Sequence, residues 1–358
     1  SYTGVTTVAA GALRLTSGGV IFYTNSDVVV GCTPYTNALL RIESGAAVSN
    51  RWLVVGTTNK AAGAVVNKGK LGIGGGSNVT NFVLGLSSGS YGYYRHDTLE
   101  PLTTPETGIG GAYNGDGVMD VMRGAFTNAT YFQLNRAYSG FQNAELNVLG
   151  GALLMPNNSA NAHLFYGSSA YGTGIINVAN GGLLASLGTA TELDMIKAST
   201  VASATAVINV RSGGTLQATR VRATQSAGLA LVNFDGGTLK PSNNGFLLLG
   251  GANVDRTTVC AGGMTVDTDG KSTIISQPLV ATTGNGVTAI PVLAAGTSYV
   301  GRPIVSIIGG GGSGATALAE FDPDSGLVSA VTSFGIFVTL DELFIYGLGP
   351  ISHLGGDY

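Results

Sequence analysis

The segment NGDGVMD at 114–120 carries the residues whose types and spacing come closest to a metal site. Asn114, Asp116 and Asp120 would supply oxygen atoms around a tight turn, and Ca²⁺ takes oxygen ligands in proteins. The match to an EF-hand loop is incomplete, because Ala112 stands at the position of its first aspartate and Arg123 at that of its bidentate glutamate. The segment therefore predicts either a weak calcium site or an ordinary turn built on Asn-Gly and Asp-Gly.

The other acidic side chains and the histidines are too scattered to predict a catalytic site. A polysaccharide-cleaving enzyme needs two or three carboxylates close together on one face, often with a base or calcium. The histidines occur singly, at His96, His163 and His353. No two acids between 144 and 266 recur at a common spacing with Lys, Arg or His beside them in sequence; they are Glu145, Glu192, Asp194, Asp235, Asp255 and, just beyond, Asp267 and Asp269. We expect no catalytic residues and no enzyme.

A Tyr-rich segment, residues 87–143, includes Tyr91, Tyr93 and Tyr94 in the run SYGYYRHD. Long insertions in repeat proteins form loops on one face and often bind ligands. The segment is predicted to leave the regular structure, and the three tyrosines would then form a partly exposed contact surface, as aromatic anchors do at interfaces and sugar sites. The alternative is a loop that only covers one side of the protein.

A short phrase returns five times in the residues that must position these groups. The copies are LNVLGGALL (146–154), INVANGGLL (176–184), INVRSGGTL (208–216), VNFDGGTL (232–239) and VCAGGMTV (259–266). Each places a short alternating apolar run before a Gly pair and another after it, which is the pattern of β-strands. Self-similarity at intervals of about 20–50 residues is typical of stacked repeats. The phrase predicts an all-β fold, a parallel β-helix or β-solenoid.

The second glycine of each pair is assigned to the corner between two faces. Glycine adopts a positive φ without steric cost, and it has no side chain to collide with the coil above. The predicted corner positions are Gly151, Gly182, Gly214, Gly237 and Gly263. An asparagine precedes four of the pairs, and these residues would either stack as an amide ladder along the axis or serve as exposed turn formers; they are Asn147, Asn177, Asn209 and Asn233.

Composition limits the possible partners and the location of the protein. The chain has 358 residues, of which 57 are Gly and 10% are charged, and its net charge is −3. Without Lys/Arg clusters it has no feature that binds nucleic acid. Mean hydropathy is +0.31, yet no apolar run is long enough to span a membrane. Low Lys with abundant Ser, Thr, Asn and Gly favours an extracellular or cell-surface protein, and the start SYTGVTTV is expected of a mature secreted chain or an excerpt.

The sequence pattern changes near Thr282. Beyond it, runs of alternating apolar residues and the turn DPDSG (322–326) favour antiparallel hairpins. We assign residues 1–282 to the solenoid, with the insertion at about 87–143, and residues 283–358 to a small Gly-rich antiparallel β module that closes the solenoid's end. Cys32 and Cys260 lie far apart in the chain. They are expected to be unpaired thiols, or else to link neighbouring subunits.

The phrases INVRSGGTLQA and VNFDGGTLKPS resemble autotransporter-associated β-strand repeats of large exported proteins from verrucomicrobia-type and planctomycete-type bacteria. The segment YVGRPIVSIIGGGGSGATALAEFDPDSGLVSAVT is similar to a Gly-rich unit that accompanies those repeats. The resemblance covers roughly residues 140–335. It implies a secreted or cell-surface β-solenoid with an adhesive or structural role, and it brings no catalytic residues. The chain shows no alternating strands for an outer-membrane barrel at its end, so anchoring of that kind is not expected.

A solenoid end without a charged or helical cap is a template for another chain. The first residues, SYTGVTTVAAGALRL, are strand-like and nearly uncharged, so we expect copies to join head to tail in a surface fibre or sheath. A monomeric adhesin that binds glycans through the Tyr-rich insertion is the alternative, and a polysaccharide-cleaving β-helix is the third. No cofactor is expected, apart from the weak calcium candidate.

Overall fold

The computed structural model describes residues 4–22, 25–74, 81–111, 114–136, 139–156, 161–163, 169–188, 192–250, 253–282, 290, 292, 296–308, 315–334 and 344–348. The regular structure in these ranges consists of β-strands alone, and most of them form a parallel β-solenoid. No helix with the length and apolarity to cross a membrane is found among the described residues.

Three parallel sheets form the faces of the solenoid, because each coil adds one strand to each face in turn. The first face contains β1 (Thr6–Val8), β4 (Val28–Val30), β7 (Leu53–Val55), β10 (Phe82–Leu84), β13 (Thr107–Ile109), β16 (Tyr131–Leu134), β19 (Asn161–His163), β22 (Leu193–Asp194), β25 (Val221–Arg222), β28 (Phe246–Leu249) and β31 (Thr273–Ile275). The second face contains β2 (Gly11–Leu15), β5 (Asn37–Ile42), β8 (Ala62–Asn67), β11 (Tyr91–Asp97), β14 (Asp116–Arg123), β17 (Ser139–Val148), β20 (Ser169–Val178), β23 (Ala204–Arg211), β26 (Leu229–Asp235), β29 (Arg256–Val259) and β32 (Leu279–Ala281).

The third face is assigned in two runs. The first run is β3 (Val20–Phe22), β6 (Ala47–Asn50) and β9 (Lys70–Ile73). The second run is β12 (Leu102–Thr104), β15 (Ala125–Asn128), β18 (Ala152–Met155), β21 (Leu183–Ser186), β24 (Thr215–Ala218), β27 (Gly237–Pro241) and β30 (Met264–Val266). Strand β9 lies beside β12, so the two runs follow one another along the axis.

The core is a column of side chains inside the solenoid, and its register repeats from coil to coil. Alternate residues of a strand point to the same side, so one inward position recurs at the paired residue of the next coil. On the second face this inward column is Leu40, Val65, Tyr94, Met119, Leu146, Ile176, Ile208 and Val232. All eight are buried. Full burial of such a side chain contributes about 1.5–3 kcal/mol.

Residues 87–143 do not form an excursion, and that expectation is corrected. The described residues of this segment contribute β11 to β16 and the start of β17. Each strand pairs in parallel with one of the following coil and, apart from β12, with one of the preceding coil. Their inward positions hold Tyr94, Phe126 and Phe132, all buried in the same core. Large rings fill the interior here in place of the Val, Ile and Leu of the repeated phrase. The coils are therefore regular although their sequence departs from the phrase.

The C-terminal module is an antiparallel sheet with the order β35-β34-β33-β36, formed by β33 (Ile304–Ile308), β34 (Thr316–Asp322), β35 (Leu327–Phe334) and β36 (Phe344–Leu348). It packs against the outer side of the second face, where a second hydrophobic cluster joins Ala64, Tyr93 and Val118 of the solenoid to Val305 and Phe321 of the module. The module thus lies along the side of the solenoid and does not close its end. Residues 283–289 lie outside the described ranges, so the boundary at 282/283 stays a prediction.

Candidate functional site

The corner glycines stack just before the strands of the third face, and the two glycines of each pair have different roles. Gly182, Gly214 and Gly237 occupy successive levels, as the pairing of the residues that follow them shows. Their own φ is not in the left-handed region, whereas the glycine before each has a positive φ: 86° at Gly181 and 75° at Gly213. The first glycine makes the bend.

The second glycine is required by space. A Cβ at Gly214 would overlap the carbonyl oxygen of Val178 in the previous coil, and one at Gly237 would lie 2.5 Å from that of Val210. Gly151 has the same place one coil before Gly182. Gly263 differs, because it has a φ of 78° with no atom near its Cβ position, and it stacks on Gly236. It corresponds to the bending glycine, so the predicted set of five mixes two roles.

The asparagines form an amide ladder on the outer side of the second face. Asn233 donates to Asn209 at 2.9 Å, Asn209 to Asn177 at 2.8 Å, and Asn177 to Asn147 at 2.8 Å, each through Nδ2 to Oδ1. Asn147 then donates to Asp120 Oδ1 at 2.9 Å. A carboxylate can only accept, so Asp120 sets the direction of every amide in the ladder. The bonds polarise one another along the chain of amides.

Asp120 also binds the C-terminal module. The Arg302 guanidinium lies 3.0 Å from Asp120 Oδ2, with both side chains almost fully buried, and Tyr93 donates its hydroxyl to the same oxygen at 2.6 Å. Arg302 also donates to the carbonyl of Ala319, and Thr316 Oγ1 accepts from Asn209 at 2.9 Å. The module is thus held on the second face by a buried ion pair and by hydrogen bonds to the ladder.

The predicted contact surface of Tyr91, Tyr93 and Tyr94 is corrected, because all three are buried. Tyr94 points into the solenoid core, where its hydroxyl meets Asn67 and His96. Tyr91 and Tyr93 point outward but lie beneath the module: the Tyr91 hydroxyl donates to the Arg302 carbonyl, and the Tyr93 ring packs edge-on against Phe321. Burial raises the pKa of all three phenols. The alternation of the strand separates neighbouring tyrosines, and the module covers those that face out.

The three residues of the calcium candidate, Asn114, Asp116 and Asp120, do not lie together around one point. Asp116 and Asp120 are four residues apart on β14, about 13 Å along a strand. Asp120 is engaged by Arg302, and Asp116 Oδ1 accepts from both the backbone and the side-chain nitrogen of Asn143. Asn114 has a φ of 65°, as in a turn. No group of three metal-binding side chains occurs among the residues that the structure describes.

Glu145 is a buried carboxyl near the ion pair. It stands two residues before Asn147 on β17, opposite Val118, and no hydrogen bond reaches either of its oxygens from the described residues. Burial raises its pKa to about 7, with the negative charge of Asp120 adding to the effect and Arg302 opposing it.

The sequence did not predict a charged cluster on the first face, because the acidic and basic residues that pair in it lie one coil apart. Arg220 and Arg222 bind the two oxygens of Glu192 at 3.1 and 2.6 Å. Asp194 accepts from the backbone nitrogen and the hydroxyl of Thr224, and Arg222 lies 3.7 Å from it. Acid–base chemistry needs a carboxyl that can keep or take a proton. Here each carboxylate faces at least one guanidinium, which fits an ion-pair network across coils.

The histidines lie in unrelated places. His96 is inside the core, where burial lowers its pKa to about 4. His163 stacks on the ring of Tyr131 and pairs across strands with Asp194, and burial lowers its pKa to about 4 as well. His353 lies outside the described residues. Neutral, buried imidazoles of this kind fill and order the interior.

The two cysteines are free and half-buried. Cys32 follows β4 and Cys260 follows β29, eight coils apart, so about 38 Å of axial rise separates them. A disulfide needs Cα atoms within about 7 Å, and one chain cannot form it between these residues. Burial raises the pKa of the Cys260 thiol. A link between neighbouring subunits stays a prediction.

Among the described residues, nothing covers the hydrophobic core at either end of the solenoid. The apolar residues that touch the core and are only partly buried belong to the first coil, as Leu13, Leu15 and Ile21, and to the last coils, as Met264 and Ile275. Large apolar side chains are also exposed at these ends; they are Val5, Val20 and Phe22 on one end and Val266, Ile274, Leu279 and Val280 on the other. Within the described residues no strand pairs with the outer edge of the first or the last coil. These edges carry unpaired backbone groups that another strand can bind.

No protein-family model, no curated protein and no solved structure matches this chain.

Proposed function

We propose that the protein is a non-enzymatic structural subunit outside the cell, whose solenoids join head to tail in a surface fibre or sheath. The observation that carries the proposal is the core that the described residues leave open at both ends. Stacking the first coil of one copy on the last coil of another would continue the first and second sheets and would cover Leu13, Leu15 and Ile275. Such a contact is heterologous, so it propagates unless its rotation closes a ring.

The resemblance to autotransporter-associated β-strand repeat proteins supports the same function. Membership of that group, export and a place at the cell surface remain part of the proposal. The proposal also takes the charged groups as structural, because the carboxylates of the first face are matched by arginines and Asp120 is matched by Arg302. Neither calcium nor another cofactor has a part in it.

The side chain of Leu15 provides the sharpest test. It points toward the core from the first coil, where only β5 covers it. Leu15→Asp would place a charge in the proposed joint, and the cost of burying it would fall on assembly, because a carboxylate on the open end of the free subunit stays in contact with water. We expect soluble, folded single solenoids in place of filaments, measured by light scattering and electron microscopy.

Ala12→Asp is the matched control, since Ala12 lies on the same strand and is exposed. It introduces the same charge on the outward side, and filaments are expected to persist. Filaments that tolerate Leu15→Asp would mean that the joint lies elsewhere. The second candidate function is an adhesin that acts as a single solenoid. It is favoured by the exposed Phe141 ring, which meets the half-buried Tyr171 ring on the second face, outside the described contacts of the module.

A further inference from the structure

The outer side of the second face carries an aromatic pair, one ring exposed and one half-buried, beside a half-buried carboxylate. Phe141 and Tyr171 are paired residues of β17 and β20, and their rings meet edge to face at 5.7 Å. The Phe141 side chain is 52% exposed although it is large and apolar. Neither ring belongs to the cluster that packs against the module. Tyr171 is half-buried beneath it, and an exposed large apolar ring supported by a second ring marks a contact surface.

Asp116 lies next to this pair on the preceding coil. The next residue, Gly117, is paired with Ala144, so Asp116 lies level with Asn143. Phe141 is two residues from Asn143 on the same side of β17, which places it about 8 Å from Asp116. Asn143 donates to Asp116 Oδ1 at 2.7 Å through its backbone nitrogen and at 3.3 Å through Nδ2. No described residue donates to Oδ2, and Asp116 is only half-buried. Oδ1 is thus fixed in place, and no hydrogen bond from the described residues occupies Oδ2.

The carboxylate is oriented by the fold. Asn143 is buried, and its own Oδ1 accepts from the backbone nitrogen of Thr173 one coil further on. This amide therefore connects three coils and leaves Asp116 little freedom to turn. A rigidly held acceptor loses little entropy when it binds a hydroxyl group, which favours affinity.

We propose that Phe141, Tyr171 and Asp116 form a binding site for a neutral pyranose of an oligosaccharide. The apolar C–H face of such a ring can lie on the exposed aromatic side chains, while a ring hydroxyl donates to Asp116 Oδ2. Sites for small polar ligands combine apolar surface with a few fixed polar groups in this way. The site requires no joint between solenoids, so it stands whether or not the subunits form a fibre.

Binding can be measured on the full chain by titration calorimetry at pH 7.5, above the pKa of Asp116 of about 6 that burial produces. The probes are cellotetraose and maltotetraose, two neutral tetrasaccharides with β- and α-linked rings. We expect at least one to bind. Phe141→Ala should weaken it by about tenfold or more, and Asp116→Asn by about tenfold, the loss of one charge-assisted hydrogen bond.

Two further variants test whether the effect is local. Asp116→Asn keeps an acceptor for Asn143, so the thermal midpoint should stay within a few degrees of the parent. Phe22→Ala removes another exposed phenylalanine, 67% exposed on the first coil, and should leave binding unchanged. The proposal is overturned if neither tetrasaccharide binds at millimolar concentration, or if binding survives both Phe141→Ala and Asp116→Asn.

Discussion

Replacing Arg302 by Met should weaken the attachment of the C-terminal module to the solenoid. The side chain makes contacts of 3.0 and 3.1 Å from Nε to the two oxygens of Asp120, and the pair is sealed from water. Removing one member of a buried ion pair leaves the other charge without compensation, which costs about 3–5 kcal/mol. Urea unfolding followed by circular dichroism should report a loss of that size.

A double-mutant cycle isolates the pair. In Asp120→Asn the new amide can still accept from Asn147, which preserves the ladder, but it leaves Arg302 buried and unpaired. The double variant Asp120→Asn/Arg302→Met removes both charges, so we expect it to lose less stability than either single variant. Arg14→Met serves as the surface control: Arg14 pairs with Glu43 while 65% exposed, and its loss should cost about 1 kcal/mol or less. An Arg302→Met effect as small as that, or strictly additive single effects, would refute the buried pair as the attachment of the module.

Three further changes test other parts of the fold. Gly214→Ala should lower the free energy of unfolding more than Gly181→Ala does. A Cβ at Gly181 meets no atom within 4 Å, so that variant should lose only the about 1–2 kcal/mol that a positive φ costs. Equal losses in urea unfolding would contradict the close approach of coils at Gly214. Asn177→Ala breaks the ladder in the middle and should lower the free energy of unfolding by about 1–3 kcal/mol, more than Asn233→Ala at its end. Equal, small losses for the two variants in the same assay would mean that the ladder does not stabilise the fold. Glu145 has a raised pKa in the folded state, so, as the pH rises from the ordinary pKa of 4.5 to about 7, the folded chain binds more protons than the unfolded one. Stability should therefore fall by roughly 3 kcal/mol across that pH range, and Glu145→Gln should remove this part of the slope; an unchanged slope would argue against the buried carboxyl.

The solenoid could be predicted because its constraints are local. Each coil repeats a strand, a bend and a strand, and the Gly pair marks the bend because a side chain at the second glycine would strike the coil before it. The asparagine that recurs before the pair predicted the ladder as one of two possibilities. Its direction could not be foreseen, since it depends on Asp120, which lies outside the repeated phrase.

The regular coils of residues 87–143 were missed for a physical reason. A coil needs inward side chains that fill the interior, and Tyr94, Phe126 and Phe132 do so as well as the aliphatic residues of the phrase. Tyrosines in a polar-looking segment predict a surface, yet the strand alternation turns Tyr94 inward. Outward exposure could be judged only with the module in place, and sequence patterns do not report such distant packing.

Signals for the module contact were present in retrospect. Asp120 is the one charge in the run VMDVM, and Arg302 is the one charge in YVGRPIVSII. A single charge within an apolar strand needs a partner of opposite sign when it is buried. The pairing joins residues 182 positions apart, which no local pattern specifies. The same holds for the cluster of Glu192, Arg220 and Arg222, whose members meet only because coils stack.

Electron microscopy of the purified 358-residue chain is the decisive experiment for head-to-tail assembly. Eleven strands stack along each of the first two faces, so one subunit adds about 53 Å of axial length at the usual strand spacing of about 4.8 Å. We expect filaments with an axial repeat near that value and solenoid axes parallel to the filament. Discrete rods of that length at high protein concentration, or filaments whose solenoids lie across the axis, would contradict head-to-tail assembly.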